Sequence, residues 1–262
     1  MEWQASDPRV CTSTGLTLVK RPRVALWRVF KLAYGPLSPP LREGHPDAKW
    51  GRFDVAGLAT IYGATHRRGA FVESLAAIAP ASVDLGELFD DVPPGQDSIA
   101  QDWESLHHMP RQGIPAQWRN DRFLSELLLH RDDWYVDVMS SDSISTLRNH
   151  VAQWAPGAIS DYQRMDAAML AGSDRRATCA VAEWVSNQVL DDGSRPAGVR
   201  YTSKHGGDLP CWAVWVDLGG VNTHKDVGEI IAAHAREYSR SPIELSDSDF
   251  LWAARSLGLT AH

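Results

Sequence analysis

A single carboxylate, Glu73, stands in "ATIYGATHRRGAFVESL" (59–75), a stretch of otherwise small, apolar and basic residues, eleven positions after Tyr62. On a helix its neighbours are Gly69, Ala76 and Ala77, and the opposite strip is Phe71, Leu75 and Ile78. A strip of small residues holding one acid leaves room for a ligand to lie close. The same acid could be a solvated residue on an outer face, and on these residues alone both readings stay open. Arg28 sits among apolar residues in "ALWRVF", where an arginine either snorkels at a sheet edge or points into a polar cleft. Arg52 follows a Gly- and Pro-rich loop in "WGRFD". A guanidinium fork suits a diphosphate because it makes two parallel hydrogen bonds, although for each arginine taken separately a structural role is the commoner explanation.

"GVRYTSKHGG" (198–207) gathers Arg200, Tyr201, Ser203, Lys204 and His205 at a strand end. Serine near histidine suggests a nucleophile, but no G-x-S-x-G elbow is present and Lys204 intervenes, so a polar hairpin turn is the plain alternative. His107, His108, His224 and His234 lack ligand spacing, and no metal site is expected. Gly-rich phosphate loops of the GxGxxG and GxxxxGK[ST] types are absent.

The elements that must position these residues follow from pattern. Residues 23–34 and 57–64 read as strands around a Gly- and Pro-rich loop (35–54). Residues 65–80 read as a helix, with Thr65 as N-cap, Pro80 as stop and Phe71, Leu75 and Ile78 as its core stripe. Residues 81–117 are loop-rich, with room for a lid or insertion, and 115–129 carry a short helix. A strand is expected at 134–139 and a helix at 140–155, capped by Ser143, with Leu147, Val151 and Trp154 inward. The clearest helix is 174–193, with Val181, Trp184, Val185 and Val189 on one face and Gly193 as its stop. Two strands, 197–203 and 210–219, flank "KHGGDL". The tail reads as helix and short strand, with a helix from Phe250 to Leu257. Residues 1–20 read as a poorly specified leader. Strands and helices mix without βαβ spacing, which predicts an α+β fold, and one domain (23–262) is expected behind an N-terminal extension (1–22).

Composition narrows the function. The chain has 262 residues, 44 % of them hydrophobic, enough for a sizeable core. Its net charge of −7 leaves no general basic footprint for nucleic acid, so an anionic ligand needs a local cluster of arginines. Cys11, Cys179 and Cys211 are an odd number without CxxC spacing, which argues against a disulfide framework. With no secretory signal pattern and no apolar run of membrane-spanning length, a cytoplasmic protein is expected.

The order of these pieces resembles the RES-domain family, named for its Arg, Glu and Ser. "LWRV", "WGRFDVAGLATIYGATHRRGAFVESL" and "GVRYTSKHGGDLPCWAVW" carry the resemblance, with "IPAQWRNDRFLSEL" and "YVDVMSSDSISTLRNHVA" between them, over roughly residues 24–217. Phe53 stands where many members have Trp. The resemblance implies a fold like that of the ADP-ribosyltransferase toxins and the toxin half of a RES–Xre pair, with an Xre-type helix-turn-helix antitoxin as partner. It implies an enzyme that consumes NAD by breaking the nicotinamide–ribose bond, passing ADP-ribose to water, phosphate or, in some members, a protein. By motif, Arg28 and Arg52 would hold the diphosphate and Tyr62 would stack on nicotinamide. Glu73 would act at the ribose, and Ser203 would orient the ribose or the carboxylate. A catalytically silent partner-binding protein is the alternative of another class.

Overall fold

The computed structural model describes residues 8–22, 25–79, 112–130, 132–219 and 224–261. Among these residues the strands are β1 (Arg9–Val10), β2 (Thr17–Lys20), β3 (Leu26–Lys31), β4 (Leu58–Ala64), β5 (Gly113–Ile114), β6 (Arg122–Leu129), β7 (Trp134–Asp137), β8 (Gly198–Thr202), β9 (Pro210–Asp217), β10 (Ala235–Pro242) and β11 (Thr260–Ala261). The helices are α1 (Arg67–Leu75), α2 (Ala116–Asn120), α3 (Ser141–Asn149), α4 (Val151–Trp154), α5 (Ile159–Tyr162), α6 (Ala167–Ala171), α7 (Arg175–Ser186), α8 (His224–His234) and α9 (Ser248–Ser256).

One mixed sheet runs in the order β1-β2-β7-β8-β9-β4-β3-β6-β10. Its neighbours are antiparallel except β7 and β8, which pair in parallel. Helices cover both faces, so the fold is α+β. Strand β9 shows why: in "CWAVWV" every side chain is buried. Cys211, Ala213 and Trp215 join the core that contains Phe71, Val181 and Phe250. Trp212, Val214 and Val216 join the opposite core, which includes Ile231 of α8. Side chains that alternate between two covered faces make a continuous apolar run.

Several local expectations change. The stretch read as a poorly specified leader contains β1 and β2 of the main sheet, with Leu16 and Leu18 fully buried. Helix α1 begins at Arg67 after His66, without a side-chain cap; Thr65 instead accepts a hydrogen bond from Trp212 Nε1 at 3.0 Å. Phe71 and Leu75 face the core but Ile78, past the helix end, is exposed. Helix α3 is capped by Ser140, whose Oγ accepts from Ser143 N. Ser143 is buried, and its hydroxyl accepts from Thr17 N at 3.0 Å. Asp174 caps α7, which ends at Ser186, so Val189 lies beyond it and is exposed, and Gly193 falls in a later turn. The segment 115–129 holds the short helix α2 and then the eight-residue strand β6. Pro80, the loop-rich segment through residue 111 and His107–His108 lie outside the described residues. No helix among the described residues is long and apolar enough to cross a membrane.

Candidate active site

Strands β3 and β4 are neighbours, yet their register holds one pair, Trp27 with Ala64. Where that ladder stops, the Tyr62 carbonyl is left to accept from Arg28 Nη1 at 2.8 Å. Arg28 thereby fills a notch between strands. Burial lowers its pKa, against the opposing effect of Tyr62 and Tyr201 nearby. Its Nε is buried without an acceptor among the described residues.

The notch opens into a cleft of about 280 Å³, lined by residues that include Arg28, Arg52, Tyr62, Glu73, Arg175 and Tyr201. That volume sits at the small end of ligand pockets, roughly 300–1,000 Å³. Four residues singled out in the sequence, Arg28, Arg52, Tyr62 and Glu73, therefore meet on one concave surface, from two strands, a loop and a helix.

Glu73 is at the end of the second turn of α1 and its side chain is 32 % exposed. The small-residue strip beside it is real at Gly69, where a Cβ would lie 3.0 Å from Ala64 Cβ; close packing there sets α1 against β4. Glu73 does not point free into solvent. Its Oε1 accepts from Arg52 Nη2 at 3.2 Å. Arg52 is only 6 % exposed, and its guanidinium lies 4.6 Å from the centre of the Tyr201 ring. Burial raises the Tyr201 pKa well above the usual phenol range, with Cys211 and Glu73 adding to the rise and Arg52 opposing it. The phenol therefore stays neutral beneath the cation, and cation–π contact is the attraction available to it.

Tyr62 is held by both sides of its hydroxyl. It donates to Asp54 Oδ1 at 2.7 Å and accepts from Phe53 N at 3.0 Å. Asp54 also receives Arg42 Nε at 2.7 Å and Gly51 N at 2.8 Å. Burial, with Asp54 beside it, pushes the Tyr62 pKa well up. Gly51 is needed here: a Cβ would sit 2.3 Å from the Tyr62 hydroxyl oxygen. The Gly-Arg-Phe-Asp run at 51–54 thus sets both the tyrosine and Arg52.

Ser203 is not among the residues that line the cleft. It is buried, and its Oγ accepts from His205 N at 3.2 Å, tying the turn between β8 and β9. His205 lies within electrostatic range of Glu73 and Arg52; burial lowers its pKa while Glu73 raises it. Cys211 lines the cleft, but burial holds its thiol far above the thiolate range, so it is inert as a nucleophile.

Tyr201, Asp54 and Arg175 are members that sequence reasoning did not assign. Asp54 lies two residues after Arg52 and Tyr201 two before Ser203, so adjacency to an assigned residue was the available signal. Arg175 opens α7, read only as a core helix, and nothing in its local sequence marks it.

Residues 25–123 match the family model described as RES domain. The resemblance is therefore shown over that stretch, which contains Arg28, Arg52, Tyr62 and Glu73 and ends before Ser203. The family is toxin-like and related to NAD use. No curated protein and no solved structure matches the chain.

Proposed function

We propose that this chain is an NAD-consuming enzyme of the RES type, one that breaks the bond between nicotinamide and ribose. The observation that carries the reading is the convergence of Glu73, Arg28, Arg52 and Tyr62 on a single cleft. NAD would enter with its diphosphate toward Arg28, while Arg52 stays paired with Glu73 at 3.2 Å. The cationic nicotinamide ring would lie on Tyr62, since an aromatic face attracts a cation. The electron pair of the C1′–N bond leaves with nicotinamide, which departs neutral, and positive charge builds on ribose C1′. The Glu73 carboxylate would stand below that sugar, stabilise the oxocarbenium-like transition state and accept from the 2′-hydroxyl, as carboxylates do in glycoside hydrolysis.

Arg52 serves this chemistry by holding Glu73 in place before substrate arrives. Preorganised charge in a partly dry site is worth more than the same charge in water. Ser203 would contribute through the turn it fixes beside Glu73, orienting the carboxylate or the ribose. A single catalytic domain is part of the proposal, and it takes in the strands at residues 9–20. So are a cytoplasmic location and an Xre-type antitoxin as partner, both on the family's habit.

The test is to incubate the purified protein with NAD and follow nicotinamide release. Free ADP-ribose as co-product means hydrolysis, and its 1″-phosphate means phosphorolysis. Label from NAD left on a protein means transfer. No release at all would sink the proposal and favour a partner-binding role.

A further inference from the structure

The cleft holds more positive charge than its one acid can offset. Three guanidiniums line it, those of Arg28, Arg52 and Arg175, against the carboxylate of Glu73. Arg52 and Glu73 are paired at 3.2 Å. Among the described residues neither Arg28 nor Arg175 lies within 4.0 Å of a carboxylate oxygen.

Arg175 is placed by two features. Asp174 caps α7 through the amides of Arg176 and Ala177 and also accepts from Tyr162 Oη at 3.0 Å, so its carboxylate is spent. Arg175 Nε donates to the Trp50 carbonyl at 3.0 Å, which fastens the guanidinium against the loop that carries Arg52. Its Nη1 is buried with no acceptor among the described residues, as is Arg28 Nε. A buried donor without a partner is costly, on the order of 1–3 kcal/mol and more when charged. Two such guanidiniums on one cleft are the arrangement a ligand with two negative charges would complete.

We infer that Arg175 is a phosphate-binding residue, and that Arg175 and Arg28 grip a diphosphate while Arg52 stays with Glu73. The inference rests on the proposed function for the identity of the ligand, NAD, but not for its charge. It separates two tasks: Arg28 and Arg175 bind, and Arg52 positions the acid.

The test is titration calorimetry of the full chain with pyrophosphate and with ADP-ribose, wild type against Arg175→Gln. Both dissociation constants should rise by about tenfold or more, as for a lost charge-assisted hydrogen bond, while the thermal midpoint holds within about 2 °C, a change of no more than about 1 kcal/mol by size scaling. Unchanged affinities, or a wild type that binds no pyrophosphate, would overturn the inference. Should Arg175→Gln fail to fold, wild-type crystals grown with pyrophosphate decide it. An oxygen at about 3 Å from the Arg175 guanidinium supports the inference, and pyrophosphate bound away from Arg175 overturns it. Pyrophosphate bound through Arg175 in a protein that releases no nicotinamide from NAD would leave this inference standing and remove the proposed function.

Discussion

Arg52 reaches Glu73 across the cleft at 3.2 Å, twenty-one residues away in sequence, with its guanidinium resting on Tyr201. The contact is asymmetric: the arginine is 6 % exposed and the glutamate 32 %. One end of the pair is anchored in protein and the other looks into the cleft. A carboxylate held this way keeps its direction while its second oxygen remains available to a ligand.

Exchanging Glu73 for glutamine keeps the shape and an acceptor for Arg52 but removes the charge. Turnover of NAD should fall on the order of 10²-fold or more, since the lost interaction belongs to the transition state. Initial rates of nicotinamide release measure it, and a wild-type rate would end the role assigned to this acid.

Arg52→Lys keeps a cation but loses the planar fork and the stacking on Tyr201, so Glu73 would be held less well. A small displacement of a reacting group is expensive. The expected outcome is a kcat lower on the order of tenfold with KM changed much less. Equal loss in both would mean that Arg52 binds substrate and does not position the acid.

Tyr62→Phe separates ring from hydroxyl. The ring face is retained, so KM for NAD should change less than about threefold, within roughly 0.6 kcal/mol. Stability should fall by about 1–3 kcal/mol, because Asp54 loses a buried donor and Phe53 N an acceptor. Urea unfolding alongside KM checks both. A large KM change at unaltered stability would mean the hydroxyl meets the substrate.

Asp191 supplies a pH-dependent prediction. It accepts from Ser13 N at 2.8 Å, Thr12 Oγ1 at 2.8 Å, Arg9 Nη1 at 2.8 Å and Thr12 N at 3.0 Å. These bonds, that from Ser13 N foremost, hold its pKa far below the usual aspartate range. A folded-state pKa below the unfolded one means that the stabilisation is complete above the unfolded value. It is lost as pH falls from about 4 toward the folded value. Asp191→Asn should therefore lower stability at neutral pH and flatten its decline below about pH 4. Urea midpoints from pH 2 to 7 for both proteins, roughly the span over which carboxylates titrate, measure it; parallel curves would contradict it.

The part of the site that was legible in sequence is the part built on strong local pattern. Arg28 and Tyr62 lie on short apolar runs bounded by Gly and Pro, and Glu73 on a helix with a clear inward face. Strand β6 was less legible. "LSELLL" is rich in Leu and Glu, good helix formers, and it becomes a strand because β3 and β10 pair with its two edges. Ser203 has its role only from the family resemblance, since its local sequence reads equally as a polar turn, and in the structure its hydroxyl accepts from His205 N within that turn. The spacing of Arg175 from the other arginines, more than a hundred positions, carries no information about distance in space. Only the docking of α7 against the Trp50 loop brings it to the cleft.

The small antiparallel pair of β1 and β2 seals the outer side of Trp134–Asp137. A version trimmed to residue 23 would leave that strand's amides and carbonyls without partners and strip the cover from Ser143. Exposed strand borders of this kind recruit other chains. Shortened preparations should therefore clump, and their poor yield would reflect lost solubility, with the catalytic groups themselves still in the chain.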